Sequence, residues 1–167
     1  MAKRSEPTIQ RVSVRQVRPL REQVLRPGEP PERSVYPGDD ETDTFHAAAL
    51  LDGRIVGSAT VIRQSPAHEA IADSWRLRGV TTLPEVRGTG CGVLLLRAVT
   101  GYVASQGCRY MWMFANPPAV GFYLKLGFQI MDGVQNVVPV GAPHPLMWRL
   151  ITPADVEQPL GGPSPLA

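Results

Sequence analysis

The chain of 167 residues is poor in cysteine, has no long apolar run, and has one stretch with no acidic residue. Two cysteines, Cys91 and Cys108, do not make a disulfide framework, and thiols are the expected state. His46, His68 and His144 are scattered far from both cysteines and from each other, so no metal site is expected. The apolar run Val93 to Leu96 is far too short to cross a bilayer, and no membrane partner is expected. The opening residues, MAKRSEP, are charged and lead into no apolar segment of a secretory signal, so the expected location is cytoplasmic. A net charge of +2 argues against a nucleic-acid binder that works by neutralising phosphates. From Val86 to Met131 there is no Asp or Glu, while Arg87, Arg97, Arg109 and Lys125 lie in that stretch. Such a segment suits a polyanionic small molecule, or a helix and strand buried on most sides.

What is present reads as one domain over 10–151, between flexible tails at 1–9 and 152–167, the second rich in Pro and Gly. "RVSVRQV" alternates like a strand from Arg11 to Val17, and "RPLREQVLRPG" predicts a short helix closed by Pro27 and Gly28. Asp52-Gly53 predicts a hairpin from Phe45 to Ile62. A strand from Trp75 stops at Pro84. The helix after Gly92 places Leu95, Leu96, Val99, Tyr102 and Val103 on one face. "YMWMF" reads as a strand buried on both faces. Asn116 as N-cap with Pro117 behind it opens a second helix, which Gly127 and Phe128 close in a C-terminal capping motif. "FQIMD" and "PLMWRLI" supply two last strands. This order predicts an α/β (α+β) single domain, a mixed central sheet with helices on both faces.

"VRGTGCG", Val86 to Gly92, carries a glycine at every second position where a strand turns into a helix. Such a turn points backbone N–H groups into one concavity at the positive end of a helix, a site for phosphates. A P-loop would need Lys and a hydroxyl where Gly92-Val93 stand. A dinucleotide fold would need a third glycine at Val93 and an acid about 20 residues on. Neither requirement is met. Instead Arg87-x-x-Gly90-x-Gly92 resembles the acyl-CoA motif of the GNAT superfamily of N-acetyltransferases, and "NPPAVGFYLKLGF", Asn116 to Phe128, resembles its later motif. "WRLRGV" and "GAPHPLM" are similar to the ElaA-like branch of that superfamily.

The resemblance implies a sheet whose strands splay at the CoA site, between Trp75–Thr82 and Tyr110–Ala115. It implies acetyl-CoA as co-substrate, with no metal, and transfer of its acetyl group directly to a small-molecule or peptide amine. Backbone groups of Val80 and Thr82 would line pantetheine, with an amide near Val80 facing the thioester carbonyl as an oxyanion donor. The amides of Arg87, Gly88, Thr89, Gly90, Cys91 and Gly92 would cradle the pyrophosphate. Tyr123 would be the general acid for the departing thiolate, though a core aromatic explains it on periodicity alone. Asn116 would contact pantetheine, though an N-cap also explains it. Lys125 reads most simply as a solvated residue.

A lysine-like amine is about one part in 10³ neutral near pH 7, which costs about 4.6 kcal/mol to restore, so a base is useful. The candidates are His144, which leads through the branch resemblance, His46, Glu69 and Asp73. Arg76 and Arg78 alternate on one strand face, where solvation is the simplest reading and an acidic substrate group the other. The acidic loop "PGDDETD", Pro37 to Asp43, is either solvated or draws a cationic amine to the acceptor pocket. The rival readings are a non-catalytic acyl-CoA-binding module, marked by a cleft plugged by Pro27 to Asp43, and a phosphate-loop nucleotide binder. The sequence leaves the oligomeric state open, a homodimer included.

Overall fold

The computed structural model describes residues 5–68 and 71–157, so Glu69 and most of the two expected tails lie outside the described residues. The elements are β1 (Thr8–Val12), α1 (Val14–Val24), β2 (Phe45–Leu51), β3 (Arg54–Arg63), β4 (Trp75–Thr82), α2 (Cys91–Ser105), β5 (Tyr110–Phe114), α3 (Val120–Lys125), β6 (Gln129–Asn136), β7 (His144–Leu150) and α4 (Ala154–Glu157). Ser13 opens the first helix. Its N–H donates to Gln16 Oε1 at 2.9 Å, the backward half of a capping box, and Val17, Leu20 and Arg21 follow as the buried stripe. The strand expected over Arg11–Val17 is thus displaced towards the N-terminus: β1 begins at Thr8, and Ile9 is buried. Val12 and Val14 mimic strand alternation and Pro19 mimics a helix start. In fact Pro19 sits inside α1, where it forgoes one backbone hydrogen bond.

The seven strands form one sheet in the order β1-β2-β3-β4-β5-β7-β6. Every pairing is antiparallel except β4 with β5. The β2–β3 turn has φ of 50° at Asp52 and 77° at Gly53, as a two-residue hairpin loop requires. Alternation along β3 places Gly57 beneath Cys91 and Leu95 of α2, and Thr60 against Arg21 of α1. The two helices therefore cover opposite faces. Phe45 stacks on Tyr102 of α2 at 4.5 Å, and the main core lies between α2 and the centre of the sheet. Among the described residues no helix is long and apolar enough to cross a membrane.

Under α1 the polar core is organised by one guanidinium. Arg21, fully buried, donates to both carboxylate oxygens of Asp39 at 2.7 and 3.0 Å, to Ser34 O at 3.1 Å and to Thr60 Oγ1 at 2.9 Å. His46 completes the network. Asp39 O can only accept, so His46 Nε2 carries the proton at 3.0 Å, and Nδ1 accepts from Thr60 Oγ1 at 2.8 Å. Burial and the charge of Arg21 outweigh the Asp39 contacts and push the His46 pKa down, so the ring stays neutral. Burial works against the Asp39 carboxylate, but hydrogen bonds from Arg21 and the Tyr36 amide overcome it and hold its pKa below the ordinary value.

Truncating one partner of a buried pair leaves the other charge uncompensated, at about 3–5 kcal/mol. Asp39→Ala should lose about that much stability in urea unfolding. In acid both groups act in one direction. Below the ordinary histidine pKa near 6.5 the unfolded chain protonates His46 before the folded chain does, and stability falls. The Asp39 contribution is lost only at lower pH, as pH falls through its depressed folded value. His46→Gln keeps a side-chain N–H donor and cannot titrate, so its stability curve should be flatter between about pH 6.5 and 5.

Candidate functional site

The parallel pairing of β4 with β5 covers only Trp75↔Met111 and Arg76↔Trp112. Beyond Arg76 the strands separate, because each turns to its other neighbour. β4 bulges against β3: Thr60 faces Arg78 and Ser58 faces Thr81, so β4 spends one residue more than β3. Gly79 lies in this bulge at φ +61°, and a Cβ there would stand 3.0 Å from Arg21 Nε. β5 meanwhile stays with β7 through Phe114↔Leu146. The resulting cleft of about 660 Å³ opens between the two strands. Leu25 to Tyr36 and the β6–β7 connection wall it without filling it.

Val80, Asn116, Tyr123 and His144, far apart in sequence, all line this cleft. Tyr123 is held by the end of α3: Phe128 N–H donates to Tyr123 O at 3.1 Å and Gly127 N–H to Leu124 O at 3.2 Å, with the Tyr123 and Phe128 rings 5.7 Å apart. This is the expected C-terminal capping motif, with its hydrophobic contact. Tyr123 is 6% exposed, and burial pushes its pKa up to about 12. At neutral pH it is a proton donor only. The Asn116 side chain makes no capping bond, contrary to expectation. Pro117–Ala119 form a 3₁₀ turn instead, with Ala119 N–H donating to Asn116 O at 2.8 Å. His144 opens β7, half-buried, opposite Asn136.

Thr82 lies farther along β4, paired with Gly57 and outside the lining of the cleft. Past it, the glycine loop differs in detail from expectation. The Arg87 and Thr89 amides turn back on Pro84 O and Val86 O at 3.3 and 3.4 Å. Cys91, Gly92 and Val93 open α2, so their N–H groups have no acceptor one turn back. Gly90 caps the helix at φ +86° with nothing within 4 Å of a would-be Cβ. Gly92 serves packing instead: a Cβ there would meet the Phe122 ring at 3.1 Å. Burial raises the pKa of the Cys91 thiol, which leaves it a poor nucleophile.

Other candidates fall elsewhere. His46 belongs to the buried Arg21 network, with both ring nitrogens engaged, and cannot serve as a base in the cleft. Asp73 is exposed, 3.9 Å from Arg63, and does not line the cleft. No residue of the acidic loop Pro37 to Asp43 lines the cleft, and Asp39 is buried on Arg21. Sequence reasoning missed the residues that do wall it, Arg26, Glu29, Arg33 and Tyr36. For Arg76 and Arg78 solvation was the simpler of two readings, the other being a hold on an acidic substrate group, and both side chains are half-buried in the cleft. The alternation of Arg76 and Arg78 about buried Leu77 was a visible signal of their shared face, but only the fold shows that this face is enclosed.

Residues 14–128 match the model of the acetyltransferase (GNAT) family. The chain belongs to that family. It is 27% identical over 143 residues to the uncharacterized N-acetyltransferase YitI of Bacillus subtilis strain 168, covering 86% of this chain and 95% of that one. Among solved structures it resembles Escherichia coli ElaA, at a TM-score of 0.68 and 17% identity over 86% of this chain and 99% of that one. An aminoglycoside 6'-N-acetyltransferase complexed with coenzyme A matches at a TM-score of 0.65 and 17% identity, over 87% and 97% of the two chains. At such identities the structural matches establish the shared fold. Family membership makes this GNAT protein an acyl-CoA-dependent acetyltransferase.

The two glycine roles are separable by experiment. Gly90→Ala should lose about 1–2 kcal/mol from its left-handed φ whatever surrounds it. Gly92→Ala should carry a cost through Phe122 that offsets its gain of about 1 kcal/mol in helix propensity. In a double-mutant cycle read by urea unfolding, Phe122→Leu should therefore relieve Gly92→Ala and leave the Gly90→Ala cost unchanged.

Proposed function

We propose that this GNAT protein transfers an acetyl group from acetyl-CoA directly to an amine, in the cytoplasm, with Tyr123 as the general acid. The observation that carries this reading is the buried, protonated Tyr123 in the gap where β4 leaves β5, together with Val80 and Asn116. Pantetheine would enter that gap, where β4 has lost its partner on one side and its backbone groups are available. The Val80 amide would donate to the thioester oxygen as it gains charge, a contribution typically worth about 10²–10³ in rate. The pyrophosphate would sit on the amides of Gly90 and the first turn of α2, where an anion is favoured by the helix dipole.

In the step itself the amine lone pair forms the new C–N bond, the C–S bond breaks, and Tyr123 gives its proton to the sulfur. The amine releases a proton to His144 directly or through water. A phenol with a pKa near 12 is a weak acid beside an ordinary thiol near 8.5, so complete transfer to sulfur is uphill. The hydroxyl therefore first hydrogen-bonds the sulfur as charge develops; once its proton has passed to sulfur, Tyr123 takes one back from solvent, and His144 returns the amine's proton to solvent. Cys91 takes no part, so no acyl-enzyme forms. Much of the rate comes from holding amine and thioester together.

Acetyl-CoA at 100 times its dissociation constant should add about 2.7 kcal/mol of stability, or about 5–11 °C in Tm for a domain of this size. ATP and NAD should give no comparable shift. Gly90→Glu should abolish the acetyl-CoA shift. Tyr123→Phe should preserve that shift and slow thiol release in the presence of an amine about 10²–10⁴-fold. A Tyr123→Phe enzyme with full activity would return the residue to a packing role.

A further inference from the structure

Among the described residues the cleft carries more positive charge than its one acid can balance. Four arginines line it, Arg26, Arg33, Arg76 and Arg78, against Glu29. Glu29 is committed to two of them, at 3.7 Å from Arg26 and 3.2 Å from Arg33. Arg76 and Arg78 have no carboxylate within ion-pair distance among the described residues.

Aromatic rings hold these two in place of acids. The Arg76 guanidinium carbon stands 4.9 Å from the Trp112 ring centroid and 5.5 Å from that of Phe114. Trp112 is itself fixed by a 2.7 Å bond from Nε1 to Gln64 O, and Gln64 Oε1 accepts from Arg76 at 3.3 Å. Arg76 Nε is buried with no hydrogen-bond partner. Arg78 lies 4.1 Å from the Tyr36 ring. Rings orient a guanidinium without neutralising it, so two half-buried cations face one cleft with their charge unspent. Burial and the neighbouring Arg78 charge push the Arg76 pKa down to about 10, and the side chain remains charged at neutral pH.

These arginines do not belong to the phosphate loop. From Arg76 to Thr82 β4 extends about 20 Å at 3.3 Å per residue, and the glycine loop begins only beyond Leu83. We propose that the acceptor is an amine that also bears a carboxylate, which Arg76 and Arg78 bind at the end of the cleft remote from the phosphate loop. This rests on reading the cleft as the site of acetyl transfer. Two guanidiniums match the two oxygens of a carboxylate, and the same charges repel a polyamine.

The test offers the protein amines matched in length and amine pKa, one of each pair ending in a carboxylate and the other in a primary amide, such as 5-aminopentanoate and 5-aminopentanamide. A panel of α- and ω-amino acids covers other lengths. Thiol release from acetyl-CoA reports turnover. Protection against heat by the corresponding N-acetylated acids and amides, with and without CoA, reports binding independently of turnover. The acids should be favoured about 10- to 100-fold in KM or in apparent Kd, the range set by charged hydrogen bonds. Arg76→Gln and Arg78→Gln should each erode that preference while leaving the acetyl-CoA thermal shift unchanged. Equal use and equal binding of acids and amides by the wild-type protein would overturn the proposal without reference to any variant, as would variants that keep the preference. A carboxylate preference in binding with no thiol release would uphold the arginine site and remove the transfer reading. Loss of the acetyl-CoA shift in the wild-type protein would likewise strike the transfer reading alone.

Discussion

One wall of the cleft and the bulge of β4 beside it meet at Arg21. Its guanidinium ties α1 to β3 through Thr60, to the connection after α1 through Ser34, and to Asp39 with two hydrogen bonds. The same side chain lies 3.0 Å from where a Cβ on Gly79 would be, beneath the bulge that turns β4 away from β5. An apolar set of similar volume in place of both Arg21 and Asp39 could fill this space at no loss of stability, since buried ion pairs seldom outdo apolar packing. What it could not do is fix the direction of three segments at once. The bidentate bond to Asp39 and the bond to Ser34 set where the segment from Leu25 to Tyr36 crosses the cleft mouth. The network thus contributes chiefly geometry, and the cleft depends on that geometry.

The gap between β4 and β5 leaves backbone groups without a strand partner, which an ordinary sheet avoids. It persists because each strand is fully engaged on its other side, β4 with β3 and β5 with β7. The bulge at Gly79 starts the divergence, and Tyr123 from α3 closes the floor. A ligand that offers amide-like donors and acceptors along its length, as pantetheine does, would replace the missing pairings. The unpaired edge is therefore tolerable in the free protein and useful in the loaded one.

Element order, the hairpin at Asp52-Gly53, both long motifs and the closure of α3 were legible in the sequence, because each rests on local chemistry: turn residues, helical spacing, a glycine after a cap. The start of α1 was not, since Val12, Val14 and Pro19 carry a local pattern that the Ser13–Gln16 cap overrides. The placing of Asn116 and Tyr123 beside β4 follows from the second motif, but the opposite side of the cleft was not legible. It is walled by residues 25–36 and 136–140, which meet β4 only in three dimensions. For the same reason a buried Asp39 looked like surface charge, and a neutral, doubly bonded His46 looked like a base.

The two proposed anion-binding regions differ in kind, and the difference would match what each recognises. At the glycine loop the donors are backbone amides, which approach closely, carry no formal charge and suit a pyrophosphate that every turnover must bind and release. Near Arg76 and Arg78 the donors are full charges on side chains held by aromatic rings, a costlier arrangement in a half-buried cleft. Such a cost persists only where it supplies discrimination, because amides alone would accept many anions. With Tyr123 in the cleft and its neighbour Phe122 against Gly92, a carboxylate fixed on the arginines and a phosphate fixed on the loop would each anchor one substrate by its far end. The amine and the thioester are then the parts left to meet, and most of the entropy of bringing them together has been lost in binding before the reaction begins.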